Sequence, residues 1–175
     1  MKARQIQSRF WDDSVVQNAT WQSKYIFIYL LTCSPINMCG IFQLTEKKII
    51  FETGLSEGDL TIAKEELSAA KKVFLFEGWV FVVNAFKNCK VWKSEKCWDA
   101  WEEDFSKISD EILAHFNTAI GIDIYSAQKT EINKQKQLTK EKKEDKEKKE
   151  YEKKTGRMMS PQESGQLAKE MAEIF

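Results

Sequence analysis

Residues 73–83 read Val-Phe-Leu-Phe-Glu-Gly-Trp-Val-Phe-Val-Val, two runs of aromatic and β-branched residues on either side of one Glu-Gly pair. Such runs favour extended chain, and a Gly-containing pair between them specifies a tight antiparallel hairpin. A lone hairpin is not stable in water, so the flanking chain must cover it. What precedes it is helical. Thr45 is a good N-cap for Glu46-Lys47-Lys48-Ile49-Ile50-Phe51-Glu52, whose apolar content is Ile49, Ile50 and Phe51, and Gly54 suits the left-handed position that ends a helix. Leu55 enters a short turn and Ser56 caps a second helix. There Leu60, Ala63, Leu67 and Ala70 recur at helical spacing as a buried face, and Glu57, Thr61, Lys64, Glu65, Ser68 and Lys72 fall opposite. With Gly40-Ile41-Phe42-Gln43 as a short first strand, the order is strand, helix, turn, helix, hairpin. That is the wiring of a winged helix, a module most often used to place one helix in a DNA groove.

The segment before Gly40 adds helices. Asp12-Asp13-Ser14 suits a short one, and Thr20 or Ser23 a longer one through Cys33, stopped by Pro35. In the longer helix Trp21, Tyr25, Ile28 or Tyr29, and Leu31 or Thr32 form the expected apolar face. Lys24 is its one charge, so it is expected to be buried on several sides. It is too short for a membrane span, which needs roughly 20 apolar residues, and no secretory signal precedes it. A cytoplasmic protein, in a bacterial host cytosol, is the expectation.

Composition divides the 175 residues into three. Residues 1–125 carry the apolar content of one core, with 14 basic and 17 acidic residues. Residues 126–155 carry 11 basic and 7 acidic residues, with Ile132, Leu138 and Tyr151 the large apolar ones, and form no core of their own. This tether pairs Lys140 with Glu144, Glu144 with Lys148 and Glu150 with Lys154 at a spacing of four, each worth about 0.2–0.5 kcal/mol in an isolated helix. It reads as a solvated spacer, helical or disordered, with a DNA-grazing basic tail as the alternative. In residues 156–175, Ser160-Pro161-Gln162-Glu163 is a helix-start signal, and Leu167, Met171 and Ile174 or Phe175 form one stripe. So short an amphipathic helix needs a surface to fold on, either its own domain or a partner's groove. The expected fold is mainly α with a small β-hairpin wing: a winged helix-turn-helix, extra helices, a charged tether and a short C-terminal helix.

Arg9-Phe10-Trp11-Asp12-Asp13, Tyr29-Leu30-Leu31-Thr32, Gly40-Ile41-Phe42, Phe51-Glu52-Thr53-Gly54-Leu55-Ser56 and Gly78-Trp79-Val80 occur in order at workable spacing. Val83-Asn84-Ala85-Phe86, Ile112-Leu113-Ala114-His115-Phe116-Asn117 and Gly121-Ile122-Asp123 continue the series. Over about residues 8–125 the chain resembles the N-terminal domain of phage and prophage replication-initiation proteins, the replisome organisers grouped with DnaD-type proteins. The resemblance implies an origin-binding protein that recruits a replicative helicase or its loader. Such proteins often carry a second helical domain for single-stranded DNA or partners. This chain has the tether and terminal helix in that place, so recruitment would fall to Leu167, Met171, Ile174 and Phe175.

Duplex DNA is the partner that a winged helix implies, and affinity for it rests on phosphate contacts. The candidates are Lys47 and Lys48 on the first helix, then Thr61, Lys64, Glu65, Ser68, Lys71 and Lys72 on and after the second. Lys87, Lys90 and Lys93 follow the wing. Their convergence on one face would offset the acidic balance of residues 1–125, with homodimerisation as a further source of affinity; scattered solubilising charge is the alternative. Glu57 and Glu65 repel phosphate, although a carboxylate accepts from cytosine N4, which favours sequence-specific binding.

No catalytic constellation competes with this reading, and no enzyme, cofactor or metal is expected. Cys33, Cys39, Cys89 and Cys97 lack zinc-finger spacing and read as reduced thiols. Gly54-x-x-x-Gly58 lacks the Lys-Ser/Thr of a phosphate loop, and His115 lies between apolar neighbours as a packing residue. Asp99, Glu102, Glu103 and Asp104 read as a solvated helix face, and Trp92, Trp98 and Trp101 as core more than base-stacking platforms. Two other functions remain open: a small winged-helix transcriptional regulator, and a winged helix used as a protein-interaction adaptor.

Overall fold

The computed structural model describes Ile6, residues 8–83, Ala85 and residues 95–155. Local capping chemistry starts most of the helices. After a 3-10 turn at Ser8–Phe10, Asp13 accepts the Val15 amide (2.9 Å) and opens α1, Ser14–Asn18. Thr20 accepts from Ser23 and opens α2, Trp21–Thr32, and Thr45 does the same through Lys48 for α3, Glu46–Thr53. At α4, Glu57–Ala69, Ser56 and Asp59 form a reciprocal capping box, each side chain accepting the other's amide. Gly54 closes α3 at φ 72°, in the left-handed region a glycine enters without steric cost.

The strands are β1, Ile41–Gln43, β2, Val73–Phe76, and β3, Trp79–Val82, in the spatial order β1-β3-β2 and antiparallel throughout. Ile41 pairs with Phe81 and Gln43 with Trp79; across the hairpin Val73 pairs with Val82 and Phe76 with Trp79. Glu77 and Gly78, at φ 46° and 76°, make the two-residue turn. Positive φ at both central positions is the type I′ geometry, whose twist matches that of the strands. Helix, strand, two helices and hairpin thus form a winged helix, as the chain's pattern predicts.

Register explains why the strands are apolar almost throughout. Phe42, Val73, Val80 and Val82 point to one face and join the core of α2, α3 and α4, with Ile26, Leu30, Ile49, Leu60, Ala63 and Leu67. Phe74, Phe76 and Phe81 point to the other, where α5, Glu95–Ser106, and α6, Asp110–Ile120, follow in the chain. There Phe81 meets Phe116 of α6 at 5.7 Å between centroids. Both sheet faces are covered, so the hairpin is a central layer and not a free-standing wing.

Three expectations need correction. The inner face of α2 is Ser23, Ile26, Phe27 and Leu30, whereas Trp21 is 61% exposed and Tyr25 42%. The helix is apolar nearly all round, so periodicity has no polar side from which to orient it. Tyr25 is turned outward and its hydroxyl donates to the Thr53 carbonyl of α3 (3.2 Å), whereas Ile28, Tyr29 and Leu31 are half-buried against the core and the Tyr29 hydroxyl reaches Glu52 (2.5 Å). Phe51 is not core: it lies opposite buried Ile49 on α3 and is 87% exposed. Ala70 is half-buried at the C-cap of α4.

α7 runs Ile124–Thr155, so the tether is helical over its described length. The pairs Lys140–Glu144 and Glu144–Lys148 do not close to ion-pair distance among the described residues. By its internal contacts the chain divides into Met1–Gln128 and Lys129–Phe175. The first unit extends past residue 125 because Gln128 is buried, accepting from the Trp101 indole (2.6 Å) and donating to the Cys39 carbonyl (2.9 Å). The expected terminal helix, with Leu167, Met171, Ile174 and Phe175, lies outside the described residues. No helix among the described residues is long and apolar enough to cross a membrane.

Candidate nucleic-acid interface

Two carboxylates on one flank of α4 orient it. Glu66 accepts the Thr20 amide (3.0 Å), the Thr20 hydroxyl (2.7 Å) and the Ser23 hydroxyl, and Asp59 accepts from Gln22 (3.1 Å). These bonds tie α4 to the first turn of α2 while Leu60, Ala63 and Leu67 face the core. The Ser23 hydroxyl, then that of Thr20, hold Glu66 below the usual carboxylate range; the Ser56 and then the Gln22 side chain do the same for Asp59. What remains outward is Glu57, Thr61, Ile62, Glu65 and Ala69, with Lys64 and Ser68 half-buried beside them. Thr61 donates to the Glu57 carbonyl (2.9 Å) and Ser68 to that of Glu65 (3.1 Å), which leaves their oxygens able to accept.

The lysines behave differently from one another. Lys64 leans across to α3 and pairs with Glu46; Lys48 pairs with Glu52 along α3 at 3.7 Å. Lys72, beyond the end of α4, pairs with Asp13 at 2.6 Å, and that hydrogen bond holds the Asp13 carboxyl below its usual range. Lys47 and Lys71 are exposed and have no acid within ion-pair distance among the described residues. Lys87, Lys90 and Lys93 lie outside the described residues, as do Cys89 and Trp92.

Lys71 stands at φ 53°. Its amide donates to the Ser68 carbonyl (2.9 Å) and the Lys72 amide to that of Leu67 (2.9 Å). These are the two bonds of a Schellman motif, with lysine where glycine is usual. The strained position carries an exposed lysine just past the C-cap of α4. Nothing in the residue order signals it, because the helix-ending glycine is missing.

The hairpin tip differs from a basic wing. Glu77 is exposed there, and Phe76 stacks on His115 of α6 at 3.5 Å and 8°. From residue 45 to residue 79 five lysines stand against seven carboxylates. The acidic residues of α5 are surface residues: Asp99, Glu102 and Glu103 are exposed, and half-buried Asp104 accepts the Met38 amide (2.9 Å). Trp98 and Trp101 are core, and Trp101 packs against Phe105 and Tyr125. Cys33 and Cys39 are buried, and burial pushes the Cys39 thiol up to about 12, far from a reactive thiolate.

Comparison with protein-family models, curated proteins and solved structures finds no match. The functional reading therefore rests on the surface of this chain.

Proposed function

We propose that this chain is a DNA-binding replication-initiation factor of phage type. In this reading α4 contacts an origin-like duplex, and residues 156–175 recruit a replicative helicase or its loader. The observation that carries it is the side of α4 away from the core, where Thr61 and Glu65 are exposed and Ser68 is half-buried; past its C-cap, exposed Lys71 has no acid within ion-pair distance among the described residues and holds a backbone conformation that costs energy. Strain of this kind is retained where the surroundings demand it, and such positions cluster at functional sites. The short hydroxyls and Glu65 suit base edges, while Lys47 and Lys71 suit phosphates. Lys47→Ala with Lys71→Ala is expected to reduce the log–log salt slope of duplex binding by about 2, about 0.9 per phosphate contact. Fluorescence anisotropy measures it, and an unaltered slope would remove this surface from the interface. Deleting residues 156–175 should abolish partner recruitment and leave duplex binding intact; unchanged recruitment favours a transcriptional regulator.

A second reading has its own observation. Lys48, Lys64 and Lys72 are each engaged by a carboxylate of the same domain, and acids outnumber lysines around α4. A protein-interaction adaptor accommodates such a surface. It is distinguished by binding that lacks the steep salt dependence of phosphate contacts.

A further inference from the structure

Helices α5 and α6 and the first turn of α7 line a groove of about 450 Å3, to which α4 contributes no residue. The chain turns over residues 107–109, where the Ile108 amide donates to the Phe105 carbonyl (3.1 Å) and Ser109 caps α6. The apolar lining is buried Phe105 and Ile108 with half-buried Leu113. Tyr125 adds an aromatic surface: its ring stacks on Trp101 (5.3 Å, 28°), meets Phe105 edge-on (5.1 Å, 74°) and still stays 40% exposed. The polar lining is Glu102, Ser106 and Asp110, all exposed, and no lysine, arginine or histidine lines the groove among the described residues. Asp110 has no cation within ion-pair distance among the described residues, and nearby Lys107 is held by Glu103 at 2.7 Å.

We propose that this groove docks an arginine side chain of a partner protein. An apolar lining with carboxylates and no cation is complementary to a side chain that is aliphatic along its stem and positive at its end. Arginine meets each part. Its stem covers Phe105, Ile108 and Leu113, its planar guanidinium stacks on Tyr125, and its forked donors reach Asp110. Lysine has the charge but neither the plane nor the fork. A phosphate group or an acidic segment is repelled by Glu102 and Asp110, so nucleic acid is not the occupant. With Tyr125 and all three polar residues exposed, the groove does not enclose a free molecule as a small-molecule pocket does. It suits one side chain still attached to a larger body. This docking is independent of what α4 contacts.

The test titrates the full, isotope-labelled chain with the peptide acetyl-Ala-Leu-Arg-Leu-Ala-amide, followed by amide NMR shifts. Two further peptides carry lysine or citrulline in place of arginine, citrulline being neutral and nearly isosteric with it. The arginine peptide is expected to give saturable shifts at the Ser106, Asp110, Leu113 and Tyr125 amides. The citrulline peptide is expected to bind about tenfold more weakly, since it loses both the ion pair and the cation–π contact. Asp110→Asn is expected to weaken arginine-peptide binding about fivefold and Tyr125→Leu about threefold. Glu111→Gln makes the same change in charge at an exposed neighbour that does not line the groove, and is expected to cost less than about twofold. Thermal midpoints establish that the variants are folded; should Tyr125→Leu not fold, Asp110→Asn and the citrulline peptide still decide. Absence of saturable shifts at these amides would overturn the proposal. So would equal affinity for the lysine or citrulline peptide, or equal weakening by Asp110→Asn and Glu111→Gln, which would show bulk charge. No nucleic acid enters this test, so its failure leaves the reading of α4 standing.

Discussion

The Glu66 carboxylate accepts three hydrogen bonds from the first turn of α2, the Thr20 amide and the hydroxyls of Thr20 and Ser23. It does the work of a helix cap from another helix, satisfying an amide that the start of α2 leaves without an intrahelical partner. Its folded pKa is lowered, first by Ser23 and then by Thr20. The unfolded chain therefore binds the proton more readily, and the contribution is fully present above the unfolded value of about 4.3. It is lost as pH falls through the lower folded value. Glu66→Gln is expected to reduce stability at neutral pH by about 1 kcal/mol, discounted for partial exposure, and to flatten the decline below about pH 4.3. Urea denaturation at a series of pH values checks both; a wild-type stability that does not fall in acid would contradict the assignment. Asp13, lowered chiefly by its hydrogen bond from Lys72, has the same sign.

At the scale of the element, the end of α4 trades stability for position. Lys71 occupies the left-handed site of a Schellman motif, a conformation that costs an L-residue roughly 1–2 kcal/mol relative to glycine. Lys71→Gly is expected to raise the thermal midpoint, by the equivalent of about 1 kcal/mol, and at the same time to weaken duplex binding. Opposite signs from one substitution separate a functional cation from a structural one. A higher midpoint with unchanged DNA affinity would make the lysine incidental.

The helix starts at Thr45 and Ser56, the stop at Gly54 and the Glu77-Gly78 turn were legible in the residue order because each depends on neighbours within a few positions. The turn of lysine at Lys71 was not, since its local signal is absent. Nor was the inner face of α2, where Ser23 is buried and reaches Glu66 while Tyr25 is exposed and reaches the end of α3. The pairing of the lysines was hidden for another reason. Lys64 meets Glu46 across 18 positions and Lys72 meets Asp13 across 59, separations that only the packing of helices brings together.

Across the whole molecule, charge is divided by region. Acidic residues exceed basic ones over residues 1–125, 17 to 14, and the balance reverses over residues 126–155, 11 basic to 7 acidic. On the proposed DNA reading, a winged helix with this balance has little affinity to draw from bulk charge, and α4 would act through a few placed contacts. Such an arrangement selects sequence and tolerates moderate salt. Selection of bound sequences from a pool of random duplex DNA, carried out at about 50 and 200 mM salt, tests it directly. The expected result is one motif enriched at both concentrations, with total retention lower at the higher. A pool that emerges unenriched at both would contradict DNA reading by α4.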